Sequence, residues 1–178
     1  MKNNHQLKYN SGSMAIHWLM LVLLIAVYLC IELRVLYPKG SDARDAIKNW
    51  HFVLGMGVWF LLLVRIWLRL KYQAPPIHPQ PPKWQRVASQ MVHLILYGFL
   101  FLMPVLGWLT IGFEGKTINL LGVHLPNVLL PNESFAEITE ELHEWLGIAG
   151  YWLIGLHATA SLFHHYIIKD NTLKRMLP

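Results

Sequence analysis

The sequence predicts an all-α integral membrane protein that forms a four-helix bundle. Hydrophobic residues make up 54% of the 178 residues and charged residues only 14%, whereas soluble domains carry about 25% charged residues. The apolar residues are concentrated in four stretches, and a bilayer-spanning helix needs about 20 such residues. The chain has eight tryptophans, a residue that is enriched at membrane–water interfaces. The net charge of +5 does not indicate nucleic-acid binding, because the charges fall at the ends of the apolar stretches.

A single transmembrane domain over residues 1–178 is therefore expected. The first stretch, AIHWLMLVLLIAVYLCI, carries no formal charge. Arg65 and Arg69 lie near the end of the second stretch, from which their long side chains can reach the interface. We expect helices at about 14–36, 48–70, 87–113 and 135–168.

The third predicted helix contains a proline, and the fourth is preceded by a possible helix cap. Pro104 lies inside the uncharged third stretch and predicts a kink, which neighbouring helices can accommodate. Ser134 and Glu137 have the spacing of a capping box, which predicts that the fourth helix begins near Ser134, outside the membrane.

The segments between the predicted helices and the single cysteine also have recognisable sequence features. Residues 72–83 are rich in proline, which favours an extended linker. Residues 114–133 are expected to lie on the membrane surface or to cap the bundle. Cys30 has no second cysteine with which to form an intramolecular disulfide. We expect no cleavable signal peptide, because the first apolar stretch is long and lacks a small-residue cleavage site.

The distribution of basic residues predicts the orientation. Four spans place both termini and the proline-rich linker on one side, together with ten of the fifteen basic residues. The positive-inside rule makes that side cytoplasmic. We therefore expect a multi-pass protein of the bacterial inner membrane with both termini in the cytoplasm.

Histidines within the spans are candidate ligands, because ionisable groups inside a bilayer are costly and usually functional. His143 and His157 lie 14 residues apart on the fourth helix, which places them about 21 Å apart in depth and within about 40° of one face. His51 matches His143 in depth, and His17 matches His157. The pattern predicts two stacked bis-histidine sites, and imidazoles can hold haem iron from both faces.

His93 is the alternative partner of His157, because it also lies in the cytoplasmic half of its helix. We favour His17. A third possibility is that the same histidines bind metal ions for transport. The scarcity of intramembrane carboxylates disfavours that reading, since hard cations prefer oxygen ligands.

A titratable group also lies near the inner pair. His164 follows His157 by seven residues, on roughly the same face and about 10 Å nearer the cytoplasm. With Lys169 or Arg69 it could bind a quinone headgroup and deliver protons. Anchoring to lipid phosphates is an equally good interpretation of these residues.

Several segments resemble the bacterial cytochrome b561 family: SMAIHWLM, NWHFVLGMGVWFLLLVRIWLRLKY, HLILYGFLFLMPVLGW and LHEWLGIAGYWLIGLHATASLFHHYIIKDNTLKRM. The resemblance covers nearly the whole chain and is weakest over residues 114–133. It implies two non-covalent haems b, axially bound by His51 with His143 and by His17 with His157, and electron exchange with ubiquinone. The family includes a superoxide oxidase, and similar helices serve as haem subunits of formate dehydrogenases and hydrogenases.

Two functional hypotheses follow. The first is a superoxide:ubiquinone oxidoreductase, in which electrons from periplasmic superoxide pass through two haems to quinone. The outer side has five basic and nine acidic residues, so attraction of an anion would require a local patch of basic side chains. Its candidates are Arg34, Lys39, Arg44 and Lys48. The second hypothesis is an electron-carrier subunit that docks a dehydrogenase as its redox partner through the outer loop, residues 114–133, and the acidic stretch 137–144.

Overall fold

Four long helices account for most of the structure, a computed structural model that describes residues 8–120, 123–125 and 127–178. Each is long and apolar enough to cross a membrane. Helix α1 continues into a 3₁₀ turn at Arg34–Leu36, and α4 continues into a π-helical turn at His164–Ile168. The helices are α1 (Ser11–Leu33), α2 (Asp42–Lys71), α3 (Lys83–Phe113) and α4 (Glu133–Phe163). All four begin earlier than the apolar pattern alone suggests. Polar side chains cap α1, α2 and α4, whereas α3 begins after Pro82 without a side-chain cap.

Polar side chains at the helix starts explain these boundaries. The side chain of Asn10 accepts a hydrogen bond from the backbone N–H of Gly12 at 2.9 Å, which satisfies one free donor of α1. At α4 the side chain of Asn132 accepts from the N–H of Phe135 at 3.1 Å. The predicted capping box at Ser134 is therefore wrong. Asn132 caps the helix instead, and Ser134 lies within its first turn.

The helices pack as two antiparallel pairs. Helix α1 packs most extensively against α2, and α3 against α4, while α2 and α3 join the pairs. A small cluster of Met20, Val58 and Leu62 forms the centre of the core between α1 and α2. Most other large apolar side chains are exposed on the outside of the bundle. In a soluble protein such a surface would be exceptional, whereas a spanning bundle turns it to the lipid.

A short hairpin interrupts the otherwise helical chain between α3 and α4. Strands β1 (Ile118–Leu120) and β2 (Val123–Leu125) pair antiparallel, with Ile118 opposite Leu125. Residues 121, 122 and 126 of this expected surface segment lie outside the described residues. The side-chain amide of Asn127 donates to the carbonyl of Gly112 at 2.8 Å and ties the loop back to α3.

The N-terminus, the proline-rich linker and the C-terminus meet at one end of the bundle. The indole N–H of Trp18 donates to the carbonyl of Met176 at 2.7 Å. The backbone N–H of Asn171 donates to the carbonyl of His78 at 3.1 Å, and the side-chain oxygen of Asn171 accepts from the N–H of His78 at 2.8 Å. The C-terminal residues thus cover the end of the bundle at which α1 begins and α2 ends.

Among the described glycines, Gly150 has the least room for a side chain. It is buried on α4, and a Cβ atom at this position would overlap Tyr28 Oη of α1 and the Phe99 ring of α3. The Tyr28 hydroxyl also donates to the carbonyl of Gly147 at 2.8 Å. Three helices therefore approach one another closely where α4 has no side chain.

We expect Gly150→Ala to lower the free energy of unfolding by about 1–3 kcal/mol, because overpacking forces the contacting side chains to shift. Thermal unfolding in detergent measures the effect. Gly98→Ala is the matched control, since a Cβ atom at Gly98 meets nothing within 4 Å. Equal stability of the two variants would contradict the prediction.

Candidate redox site

The outer histidine pair joins α2 to α4. The rings of His51 and His143 have centroids 6.0 Å apart and planes at 75°. His51 Nδ1 lies 3.0 Å from the carbonyl oxygen of Val27. Because a carbonyl can only accept, Nδ1 is the protonated nitrogen and Nε2 keeps its lone pair for a metal.

Space for the ring of His143 is provided by a glycine. A Cβ atom at Gly107 of α3 would lie 3.4 Å from Cε1 of His143. A larger residue at Gly107 would therefore press on the imidazole. The close approach of α3 is thus part of what sets the orientation of the outer pair.

The inner pair joins α1 to α4. The ring centroids of His17 and His157 are 6.3 Å apart, and the planes are nearly perpendicular at 85°. Both rings are half-buried. The two pairs lie at opposite ends of the bundle, because His157 follows His143 by 14 positions on α4, which corresponds to about 21 Å along the helix.

Both separations suit a metal ion held between two imidazoles. With metal–nitrogen bonds of about 2.0–2.1 Å, the two ring centroids lie roughly 6 Å apart. Among the described residues, no group of three or more histidine, cysteine or carboxylate side chains could hold one ion together. The His51–His143 and His17–His157 separations are thus those that two imidazoles would have if they held one iron between them.

His93 of α3 lies on another side of His157. Its ring centroid is 5.4 Å from that of His157, which is shorter than two imidazoles clamping one metal need. Its Nδ1 donates to the carbonyl of Ser89 at 2.6 Å. The residue is exposed, although its ring lies beside that of His157. This geometry favours His17 as the partner of His157, with His93 as a neighbour of the inner pair.

The four basic residues expected to steer an anion differ in their surroundings. Arg44 Nη1 donates to the carbonyls of Arg34 at 3.1 Å and Tyr37 at 2.9 Å, so this guanidinium closes the turn between α1 and α2. Arg34 lies 3.4 Å from Glu144, the residue that follows His143. Lys39 and Lys48 are exposed.

The three candidate quinone ligands also have different surroundings. Arg69 donates to the Tyr9 hydroxyl at 3.3 Å. Lys169 is exposed and has a left-handed backbone, with φ at 60°. His164 Nδ1 lies 2.6 Å from a carboxylate oxygen of Asp170. The imidazole is thus already held on one side.

Sequence reasoning missed the buried charges next to His164. Asp170 is 2% exposed and Arg175 is 7% exposed. Burial lowers the pKa of Arg175. Burial opposes ionisation of Asp170, yet hydrogen bonds from His164 and Thr172 outweigh it and lower the pKa of this carboxyl. The polar turn after α4 was visible in the sequence, but nothing local indicated that the chain folds back over it.

Comparison with known proteins gives consistent relatives over almost the whole chain. A family model described as prokaryotic cytochrome b561 matches residues 8–178. The chain is 36% identical to cytochrome b561 homolog 1 of Escherichia coli strain K12, over 96% of this chain and 97% of that protein. It is 34% identical to the probable superoxide oxidase CybB of Yersinia pestis, over 96% of each. It is 29% identical to cytochrome b561 homolog 2 of Escherichia coli strain K12, over 96% of this chain and 91% of that protein.

We expect Arg44→Ala to lower the free energy of unfolding by about 1–2 kcal/mol, because two hydrogen bonds from a charged donor are lost at a half-buried position. The measurement is thermal unfolding in detergent. Lys48→Ala is the control, since that side chain is exposed on the same helix. The structural role of Arg44 is refuted if both variants unfold at the wild-type temperature.

Proposed function

We propose a function from one premise: the chain belongs to the prokaryotic cytochrome b561 family. It is therefore a membrane electron-transfer protein, and the cofactor that its family implies is haem b. The proposal adds the number of haems, their ligands, the electron donor and the electron acceptor. The observation that carries it is the presence of two imidazole pairs, with centroid separations of 6.0 and 6.3 Å.

We propose that His51 and His143 hold one haem b, and that His17 and His157 hold the other. When bound, haem b supplies one-electron redox chemistry at a potential tuned by its ligands and surroundings. The carbonyl of Val27 keeps His51 in the tautomer that can ligate.

We further propose that the protein is a superoxide:ubiquinone oxidoreductase of the bacterial inner membrane, with both termini in the cytoplasm. Two superoxide anions lose one electron each and become dioxygen, while one quinone takes up two electrons and two protons. The likeness to a probable superoxide oxidase supports the donor. Lys39 and Lys48 are free in the described structure to attract an anion near the outer pair, with Arg34 beside Glu144.

His164, Lys169 and Arg69 are the proposed quinone residues at the other end. His164 offers its second ring nitrogen to a carbonyl oxygen, and Lys169 offers an exposed ammonium. Arg69 already contacts Tyr9, so it contributes positive charge near the site. A quinone reaching these groups from the membrane would meet donors for its carbonyl oxygens.

A second candidate function is an electron-carrier subunit for a dehydrogenase. It is favoured by the acidic start of α4, where four carboxylates are exposed and form a surface for a cationic partner: Glu137, Glu140, Glu141 and Glu144. Purification of the chain alone, loaded with haem and reactive with superoxide, would count against this function.

The ligand assignment predicts the haem content of alanine variants. Replacing either member of a pair removes one of two haems, because a single axial imidazole leaves the iron without its second protein ligand. The variants to compare are His17→Ala, His51→Ala, His143→Ala and His157→Ala. Haem per protein and the reduced-minus-oxidised spectrum measure the loss.

His93→Ala is the decisive control and should keep both haems. Loss of one haem in His93→Ala, with both retained in His17→Ala, would replace His17 by His93 in the inner pair. A colourless wild-type protein would refute the haem proposal as a whole.

Reversing the outer charges should slow the reaction with superoxide. We expect Lys39→Glu with Lys48→Glu to lower the superoxide-driven rate about 10-fold at low ionic strength, since steering of an anion depends on local potential. The difference should shrink in high salt. Lys174→Glu at the opposite end is the control. An unchanged rate at every salt concentration would exclude steering by these lysines.

A further inference from the structure

A buried carboxylate lies where the quinone site is proposed. Asp170 is 2% exposed, and aspartate is almost never fully buried without a partner. Its Oδ2 lies 2.6 Å from His164 Nδ1, and its Oδ1 accepts from the backbone N–H of Thr172 at 2.8 Å. Both carboxylate oxygens are therefore bonded, one of them to the imidazole.

The backbone holds this carboxylate against the ring. After the π-helical turn, Lys169 adopts a left-handed conformation, which allows the N–H of Asp170 to donate to the carbonyl of His164 at 3.1 Å. The next residue, Asn171, is bonded to His78 of the proline-rich linker. Backbone hydrogen bonds to His164 and to the linker thus hold the turn in place and keep Asp170 in contact with the His164 ring.

Further along the turn, the buried Arg175 carries a positive charge that interacts with Asp170. Its guanidinium lies over the Tyr9 ring at 5.5 Å and donates to the carbonyl of Pro75. Arg69 lies 5.8 Å from the centroid of the same Tyr9 ring. Coulombic attraction between Arg175 and Asp170 favours the charged form of the guanidinium.

The pairing determines which nitrogen of His164 is available. An ionised carboxylate only accepts, so Nδ1 carries a proton and Nε2 is the nitrogen left for a substrate. The side chain of His164 is 21% exposed, so the imidazole is reachable from outside. When Nε2 is also protonated, the adjacent carboxylate balances the imidazolium charge. This is the arrangement by which carboxylate–imidazole pairs act in general acid–base catalysis.

We propose that Asp170 is a positioning residue for quinone reduction, holding His164 so that its Nε2–H delivers a proton to a quinone carbonyl oxygen. The inference rests on the quinone site proposed above. The Nε2–H bond breaks and an O–H bond forms on the quinone. A second proton comes from water at the membrane surface. The two electrons come from the reduced protein, whose reductant is two superoxide anions.

The test follows the oxidation of pre-reduced holoprotein by a short-chain ubiquinone, without oxygen and after removal of excess dithionite. We expect His164→Gln to slow this step by about 100-fold, as for loss of a general acid. Asp170→Asn should slow it at least about 10-fold, since imidazoles lose rate when their orienting carboxylate is neutralised. Lys83→Gln, an exposed residue at the start of α3 at the same end, should leave the rate unchanged.

Two further variants separate positioning from a structural role. The double variant His164→Gln with Asp170→Asn should be no slower than His164→Gln alone, because Asp170 acts through His164. Asp170→Glu retains the charge and should recover most of the wild-type rate at full haem content. If Asp170→Asn does not assemble with haem, the rate of Asp170→Glu still tests the role of Asp170.

The outcomes are distinct for the two proposals. The role of Asp170 is overturned if the double variant is slower than His164→Gln by the factor that Asp170→Asn alone loses. It is also overturned if Asp170→Asn reacts at the wild-type rate, or if Asp170→Glu is fully loaded with haem and as slow as His164→Gln. A wild-type holoprotein that quinone does not oxidise would instead overturn the proposed acceptor. Because dithionite supplies the electrons, failure of superoxide as donor leaves this test unaffected.

Discussion

The structure depends on bringing imidazoles from different helices together in a medium without water. A polar side chain in hydrocarbon loses its hydration, so it must find a partner within the bundle. His51 does so through the carbonyl of Val27 on α1 and by facing His143 on α4. The His157 ring has both His17 and His93 as neighbours. Helix α4 contributes one histidine to each pair.

Close packing supports this arrangement. Gly150 admits Tyr28 and Phe99 to the surface of α4, and Gly107 leaves room for the ring of His143. The hydrophobic effect contributes little between helices in lipid, so small residues that permit close approach decide how helices pack. The same glycines thereby influence how each imidazole is presented.

The two ends of the bundle are built differently. At the end that carries His51 and His143, Lys39 and Lys48 are exposed, and a hairpin separates α3 from α4. At the other end the C-terminal residues fold back over the helices and bury Asp170 and Arg175. An open charged end suits a small water-soluble anion, and a covered end beside lipid suits a membrane-soluble acceptor. The proposed direction of electron flow follows this asymmetry.

Sequence reasoning succeeded where a property is local. The four helices follow from apolar length, and the spacing of His143 and His157 follows from the rise of a helix. It failed where two local signals compete, as at Asn132 and Ser134, of which only Asn132 caps α4. It also could not separate Arg44, which closes a turn, from the exposed Lys39, because both are basic residues in one polar segment.

The amino-acid sequence by itself determined the class of the protein, the number of its spans and the depth at which each histidine lies. These depend on hydrophobicity and on helix geometry, which act along the chain. Only the tertiary structure decided that His17 stands 6.3 Å from His157 while His93 approaches from another side, and that Asp170 is buried against His164. Those contacts depend on the rotation of each helix and on the path of the chain ends, which are set by packing between residues far apart in sequence.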